Sequence, residues 1–280
     1  MGTLMAARLS SAMQAGGSGV EAERPERVIL YGRPSEHIDA IQRDGVTLTE
    51  LDGSAHSVPV TATSDPADVE GSELVIVLVK SWATGDSVKP LKEHLTRDAV
   101  VLTLQNGLGN VDALCGMVGS ARVLAGATSE AATLLEPGKA RHAAAGLTVF
   151  GSWTSCPTDT AFTAFQDAGF DVRITDTPGQ VVWEKAVINA GINPLTALLN
   201  VPNGRLLETA ETRELLRDLV MEATKVASTE GYRFTRSLAE AAEALCRATS
   251  ENLSSMLQDI RSGRRTEIEA LSADGAFGQV

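Results

Sequence analysis

Two regimes of apolar patterning divide the chain. Up to about residue 176, apolar runs of strand length alternate with segments of helical periodicity. Leu4, Met5, Leu9 and Met13 recur near helical spacing and predict a helix over 2–14. A Gly-rich connection over 15–23 follows it. Its glycines follow a helix, not a strand, and their spacing is wrong for a phosphate-binding turn. The run 27–31 (RVILY) predicts a strand, and Ser35 caps a short helix that ends at Arg43. Residues 46–60 predict one or two edge strands around an Asp52-Gly53 turn, and 63–69 predict a turn. The runs 73–80 (ELVIVLVK) and 99–104 (AVVLTL) are continuously apolar, as expected of parallel strands covered on both faces. Helices are expected over 84–95, 111–118 and 158–168, and strands over 123–128 and 171–174. A strand pair, 131–137 with 147–150, is expected around Pro137-Gly138.

Beyond Pro178 strand signals stop. Helix-length periodic segments cover 181–200, 204–231, 235–248 and 250–261. Alternating strands and helices followed by helices alone predict a mostly parallel α/β sheet domain over 1–176 and an all-helical domain over 177–280.

One stretch stands out within the helical part. Lys185, Asn189 and Asn193 recur every fourth residue amid Ala186, Val187, Ile188 and Ile192. Four residues advance a helix by about 400°, so the three polar side chains share one face. Burying them there is costly unless something hydrogen-bonds them. A polar seam gluing two helices and a site facing a polar ligand both satisfy that requirement.

Composition narrows the function classes. The net charge of −12 argues against a general nucleic-acid or anionic-membrane surface. The three cysteines are widely spaced with no CxxC, so neither a disulfide framework nor a zinc site is expected, and a reducing cytoplasm fits. The four histidines have no metal-ligand spacing and read as surface or structural. No apolar run is long enough to span a bilayer, and no signal peptide is recognisable at the start.

Ligands of parallel sheets bind beyond the carboxyl ends of the strands, and three such ends carry suggestive residues. Arg33 follows RVILY, where an acidic residue would hold the ribose diol of NAD; an arginine suits a 2′-phosphate and favours NADP. Lys80 follows ELVIVLV, and Gln105-Asn106-Gly107-Leu108-Gly109 follows AVVLTL. Each alone could be a solvated charge or a turn residue. Together at one edge they suggest a nucleotide site.

The stretches LVKSW, LQNGLGN, ATLLEPGKARH, WEKAVINAGINPLTALLNVPNG and ENLSSMLQDIRSGRRTEIE resemble the ketopantoate reductase family over nearly the whole chain. The resemblance implies a Rossmann-like NADP-binding domain followed by a helical substrate and catalytic domain. It implies NADPH-dependent reduction of 2-dehydropantoate to (R)-pantoate, a step towards pantothenate and coenzyme A. By the same resemblance Lys185 is the catalytic lysine that protonates the carbonyl oxygen. Glu267 is the carboxylate that contacts the substrate hydroxyl and orders the site. Asn189, Asn193, Asn252 and Ser255 hold substrate, with Ser255 near its carboxylate. Gly2 is the third glycine of the cofactor turn, Arg33 and Lys80 contact the 2′-phosphate, and Asn106 lies near nicotinamide and substrate. A small keto acid is the expected partner, with a homodimer possible.

The sequence departs from the family pattern in three places. The first strand and first two glycines of GxGxxG precede what is present, and the end after TEI is short. Exposed apolar sheet edges and weakened cofactor binding would follow, and a misassigned start with a shortened gene is the simplest account. Ser129-Glu130 replaces a Thr-His-like pair. Two other readings compete with ketopantoate reduction: a related NADPH-dependent 2-keto acid reductase, and a truncated non-catalytic relative.

Overall fold

The computed structural model describes residues 1–15 and 27–271, so the connection expected over 15–23 falls, but for Ala15, outside the described residues. The chain forms two compact units. One comprises Met1–Val79, Ala83–Gln105 and Val111–Pro178. The other comprises Lys80–Trp82, Asn106–Asn110 and the chain from Gly179 onward.

The first unit contains, in chain order, α1 (Gly2–Ala15), β1 (Ile29–Tyr31), α2 (Glu36–Asp44), β2 (Val46–Thr49), β3 (Ala55–Val58), β4 (Thr61–Thr63), β5 (Leu74–Val77), α3 (Thr84–Val88) and β6 (Val100–Thr103). There follow α4 (Asn110–Val118, Asn110 belonging to the second unit), β7 (Val123–Thr128), β8 (Ala131–Glu136), β9 (Lys139–Ala144), β10 (Thr148–Ser152), α5 (Asp159–Asp167) and β11 (Val172–Ile174). A five-stranded sheet has the order β11-β10-β7-β6-β5, a four-stranded sheet the order β3-β2-β9-β8, and β1 pairs with β4 alone. The five-stranded sheet is parallel except where β10 runs against β7.

Local chemistry explains most of these elements. Ser35 accepts the Ile38 N–H and starts α2. All four residues of β6 are buried, as its apolar run requires. Phe165, fully buried, packs its ring 5.7 Å from Phe150 and 5.4 Å from Phe170, beside Leu102, Leu124 and Met5.

Several expectations are corrected. The strand β2 lies inside its sheet between β3 and β9, so of the two strands expected at the edge only β3 is one. The turn expected over 63–69 is a 3₁₀ turn at Pro66–Val69, and Thr63, its first expected residue, instead ends β4. The strand β5 ends its sheet, and Leu74, Val75 and Ile76 are half-buried instead of covered on both faces. Pro90 stops the helix expected over 84–95 after one short turn, because proline supplies no N–H and disfavours a helical residue before it. The partner of β8 across Pro137-Gly138 is β9, while residues 148–152 pair with β7 and β11. The strand β9 reads KARHAA, with Ala140 and His142 buried and Lys139 and Arg141 exposed. Alanines carry so little apolar contrast that its alternation is nearly silent.

His142 is structural. Its Nε2 lies 2.6 Å from Glu130 and its Nδ1 3.6 Å from Glu50, and Arg8 donates to Glu50 at 2.6 Å. Glu130 also accepts the Gly146 N–H at 2.9 Å.

The second unit is built on α6 (Pro178–Leu199), α7 (Ala210–Thr229), α8 (Leu238–Ala248), α9 (Ser255–Arg261) and α10 (Ile268–Leu271). The single helix expected over 204–231 is a 3₁₀ turn at Asn203–Leu207 followed by α7. Thr209 caps α7 by accepting the Thr212 N–H, which restarts the chain after the turn. The helix expected from 250 begins instead after Ser254, whose Oγ accepts the Leu257 N–H. Leu206, Leu216, Val220, Ala227, Ala242 and Cys246 are fully buried at the centre. A methyl on Gly191 would stand 2.5 Å from Val220 Cγ2, so this glycine lets α7 approach α6.

Glu243 is buried on α8 and receives Arg213 through both carboxylate oxygens, with Arg217 and Arg247 adding further bonds. Arg213 above all, then Arg217 and Arg247, holds its carboxyl at about 2 against an ordinary 4.5. The carboxylate therefore contributes its full stabilisation above about pH 4.5 and loses it as pH falls towards 2. Glu243→Gln should be less stable than wild type at pH 6 by about 1 to 2 kcal/mol, and the gap should narrow towards pH 2. Urea unfolding of both proteins across this range measures it.

Among the described residues no helix is long and apolar enough to cross a membrane, no three His, Cys, Asp or Glu side chains gather as a metal ion would need, and the three cysteines are free thiols.

Candidate active site

The second unit brings most of the polar residues singled out in the sequence together. The helix α6 carries Lys185 and Asn189, both half-buried, and Asn193, which is buried. Ser255 opens α9, and Asp259 stands one turn later on the same face. Glu267 directly precedes α10. Thr196 Oγ1 of α6 lies 2.7 Å from Ser254 Oγ, a buried bond that fixes the start of α9 against α6.

Asn106 sits in the loop after β6, and this loop is clamped to α10. Gly107 has φ +82°, and a methyl there would meet Ala270 Cβ at 2.6 Å and its carbonyl oxygen at 2.8 Å. Leu108 N–H donates to that same oxygen at 2.9 Å. Only glycine satisfies both the backbone angle and the close approach. Asn106, Asn193, Ser255, Asp259 and Glu267 line one narrow pocket.

Two of these groups are buried carboxylates. Glu267, 8% exposed, accepts the Ser81 N–H on Oε1 at 2.8 Å and faces Lys80 Nζ on Oε2 at 3.2 Å. Asp259, 3% exposed, accepts Lys80 on Oδ2 and Arg264 Nε on Oδ1 at 3.2 Å. Buried carboxylates of this kind are stable only when cations and N–H groups surround them. Lys185 completes the cluster. Burial pulls its ammonium down from 10.5 to about 8, and the Glu267 carboxylate pushes it back up. An ammonium of that acidity, beside a fixed carboxylate and neutral amides, can donate a proton to a polarised oxygen.

The remaining expected residues fall elsewhere. Asn189 lies on α6 between Lys185 and Asn193 but does not line the pocket. Asn252 is exposed, also off the pocket, and its carbonyl accepts the Asn203 N–H at 3.0 Å. Lys80 lies beside two carboxylates of its own unit, Asp259 and Glu267. Sequence reasoning missed Asp259 and the Ser81 N–H. Asp259 had a signal, four residues beyond Ser255 in a helical stretch; a backbone donor has none.

Gly2 and Arg33 belong to the first unit. Gly2 starts α1, whose first turn holds no acidic residue, and the space around its α-carbon is open. Arg33 is exposed just beyond β1. Helix-terminal N–H groups and a guanidinium are the donors that phosphates select, so these residues fit the phosphates of a 2′-phosphorylated dinucleotide.

Comparison with known proteins shows which family the chain is similar to. Residues 1–155 match the family profile described as Ketopantoate reductase PanE/ApbA, and residues 179–275 match that of its C-terminal part. The 2-dehydropantoate 2-reductase of Halobacterium salinarum is 37% identical over 256 residues, 90% of this chain and 84% of its own length. A crystal structure of a PanE/ApbA family ketopantoate reductase from Ralstonia eutropha is similar with a TM-score of 0.83 at 31% identity, covering 95% of this chain and 84% of that one. A D-mandelate dehydrogenase solved with NADH and anilino(oxo)acetate also gives a TM-score of 0.83, at 22% identity over 94% of this chain and 85% of its own. At that identity the likeness is one of fold alone.

Proposed function

This chain belongs to the ketopantoate reductase family, and on that basis we propose that it reduces 2-dehydropantoate to (R)-pantoate with NADPH. The observation that carries the reading is the pocket lined by Asn106, Asn193, Ser255 and the buried Glu267, whose carboxylate acts electrostatically on Lys185. NADPH, when bound, supplies the hydride to the ketone carbon. Lys185 stabilises the charge growing on the carbonyl oxygen and delivers the proton that makes it a hydroxyl. Glu267 accepts a hydrogen bond from the substrate hydroxyl and keeps a negative charge near Lys185. Asn189, Asn193 and Asn252 hold substrate through donor and acceptor atoms, and Ser255 donates to its carboxylate. Gly2, Arg33, Lys80 and Asn106 hold the cofactor, with Arg33 and Lys80 on the 2′-phosphate. In this reading residues 1–176 bind the dinucleotide and residues 177–280 bind substrate and carry the catalytic lysine.

The reading includes a cytoplasmic homodimer. The exposed Leu198, Leu199 and Ile260 on the helical unit support an apolar contact, and sedimentation velocity tests it. A second reading, reduction of another 2-keto acid, is favoured by the fold shared with D-mandelate dehydrogenase. Loss of NADPH absorbance on adding 2-dehydropantoate, measured beside a panel of other 2-keto acids, separates them. A preference for 2-dehydropantoate is expected; equal or better rates with another acid would transfer the assignment to it. No oxidation with any acid would refute both.

A further inference from the structure

We propose that Gln105, a buried amide tying the roots of segments 80–82 and 106–110 to each other, is a positioning residue that sets Asn106 and the Ser81 N–H for their work at the pocket. The proposal rests on the reductase reading above and adds a residue to its machinery.

The strands β5 and β6 run parallel, and Val77 pairs with Thr103 where both end. Val79 and Gln105 each stand two residues beyond that last pair. Each is also the residue from which the chain leaves the first unit, Val79 into 80–82 and Gln105 into 106–110. Past the end of the strand ladder the Gln105 side chain continues the tie. Its Nε2 donates to the Val79 carbonyl and to Thr84 Oγ1, both at 2.8 Å. Thr84 follows Ala83, where the chain re-enters the first unit. One amide group therefore holds the loop 79–84 at both ends.

Gln105 is itself locked. Its Oε1 accepts the Thr103 hydroxyl at 3.0 Å, and its backbone N–H donates to the same hydroxyl oxygen at 3.3 Å. Gln105, Thr103 and Thr84 are all buried. A buried amide engaged through its NH₂ group and its oxygen has one favourable orientation, because rotation leaves polar atoms unpaired. What leaves these roots is short or closed on itself. Asn110 Nδ2 donates to the Asn106 carbonyl at 3.1 Å, so 106–110 moves as one piece and its root decides where Asn106 stands. Ser81 lies two residues past the tied Val79 carbonyl, and its N–H meets Glu267 Oε1 at 2.8 Å. A displacement at the roots is carried to both groups, and misplacement of this kind lowers rate more than it lowers binding.

Gln105→Leu in the full chain keeps most of the side-chain bulk and removes its polar atoms. The kcat for 2-dehydropantoate should fall about 10- to 100-fold. In the double variant Gln105→Leu/Asn106→Ala the loss should be at least about fivefold smaller than the product of the single losses, because Gln105 acts in part through Asn106. Thr84→Val removes one acceptor of the tie and should lose about three- to tenfold in kcat. Thr84→Ser, which keeps the hydroxyl, should recover most of that rate. An unchanged kcat, or losses that simply multiply, would make Gln105 a stabilising core residue only and overturn the proposal. Amide hydrogen exchange gives a reading that needs no catalysis. The Ser81 and Leu108 N–H groups, bonded to Glu267 and Ala270, should exchange about tenfold faster in Gln105→Leu than in wild type, with the amides of β7 unaltered. Unchanged rates at Ser81 and Leu108, or an equal acceleration in β7, would refute the positioning role. If wild type reduces no ketone, the reductase reading fails separately and exchange alone decides whether Gln105 fixes the two segments. Circular dichroism and melting curves identify a Gln105→Leu chain that has not folded; Thr84→Val then carries the same kinetic and exchange comparisons.

Discussion

Lys185→Ala is expected to lower kcat for 2-dehydropantoate by about 10²- to 10⁴-fold, with a much smaller change in substrate KM. In the proposed mechanism the variant removes the proton donor and the cation that stabilises the developing alkoxide, and both act mainly in the transition state. Burial already brings the Lys185 ammonium to about 8, so the protonated form needed for reduction is lost as pH rises through that value. Wild-type kcat should accordingly fall on the alkaline side near pH 8, and the residual rate of Lys185→Ala should lack that limb. Steady-state kinetics over pH 6 to 10, with circular dichroism as a check on folding, measure both effects. A variant within tenfold of wild type would remove Lys185 from the proton-transfer step.

That this residue could be singled out before any coordinates has a simple cause. Lys185, Asn189 and Asn193 contrast sharply with apolar neighbours, and their four-residue spacing survives in α6. Strong contrast also made β6 and β7 legible, where every or nearly every position is buried. Reading failed where contrast was weak or where a few atoms decide the outcome. The strand β9 is written in alanines, and 204–231 looked continuously helical until the Thr209 cap divided it. The pairing of β2 with β9 joins residues 47–49 to 139–141, a separation that local periodicity cannot report. In the site, Asn193, Ser255, Glu267 and Asn106 meet at one pocket, yet the two carboxylates that claim Lys80 come from near the other end of the chain.

The largest expected loss of stability comes from Phe165→Ala, at about 3 to 5 kcal/mol. The ring is completely buried and contacts Phe150 and Phe170, so truncation leaves a cavity walled by stiff aromatic and sheet residues that cannot collapse into it. Aromatics make up only 4% of the chain, with six phenylalanines, and three of them meet in this cluster. Little else in the first unit offers comparable area. Urea unfolding followed by the fluorescence of Trp153, which lies in this unit, gives the difference directly. A loss below about 1 kcal/mol would mean that the surrounding side chains close the space, contrary to the packing described.

The discontinuous make-up of the helical unit limits how this enzyme can be recombined. A crossover between two relatives at the visible change of character near Pro178 would take Glu267, Asp259 and Lys185 from one parent. It would take Lys80, Ser81 and the loop 106–110 from the other. Each chimera would carry a pocket of mixed ancestry, with the Ser81 N–H and the Gly107 clamp inherited apart from the carboxylate and the carbonyl they were matched to. Exchangeable modules in this chain therefore consist of three segments each, and a graft that respects the chemistry must move 80–82 and 106–110 together with everything after 178.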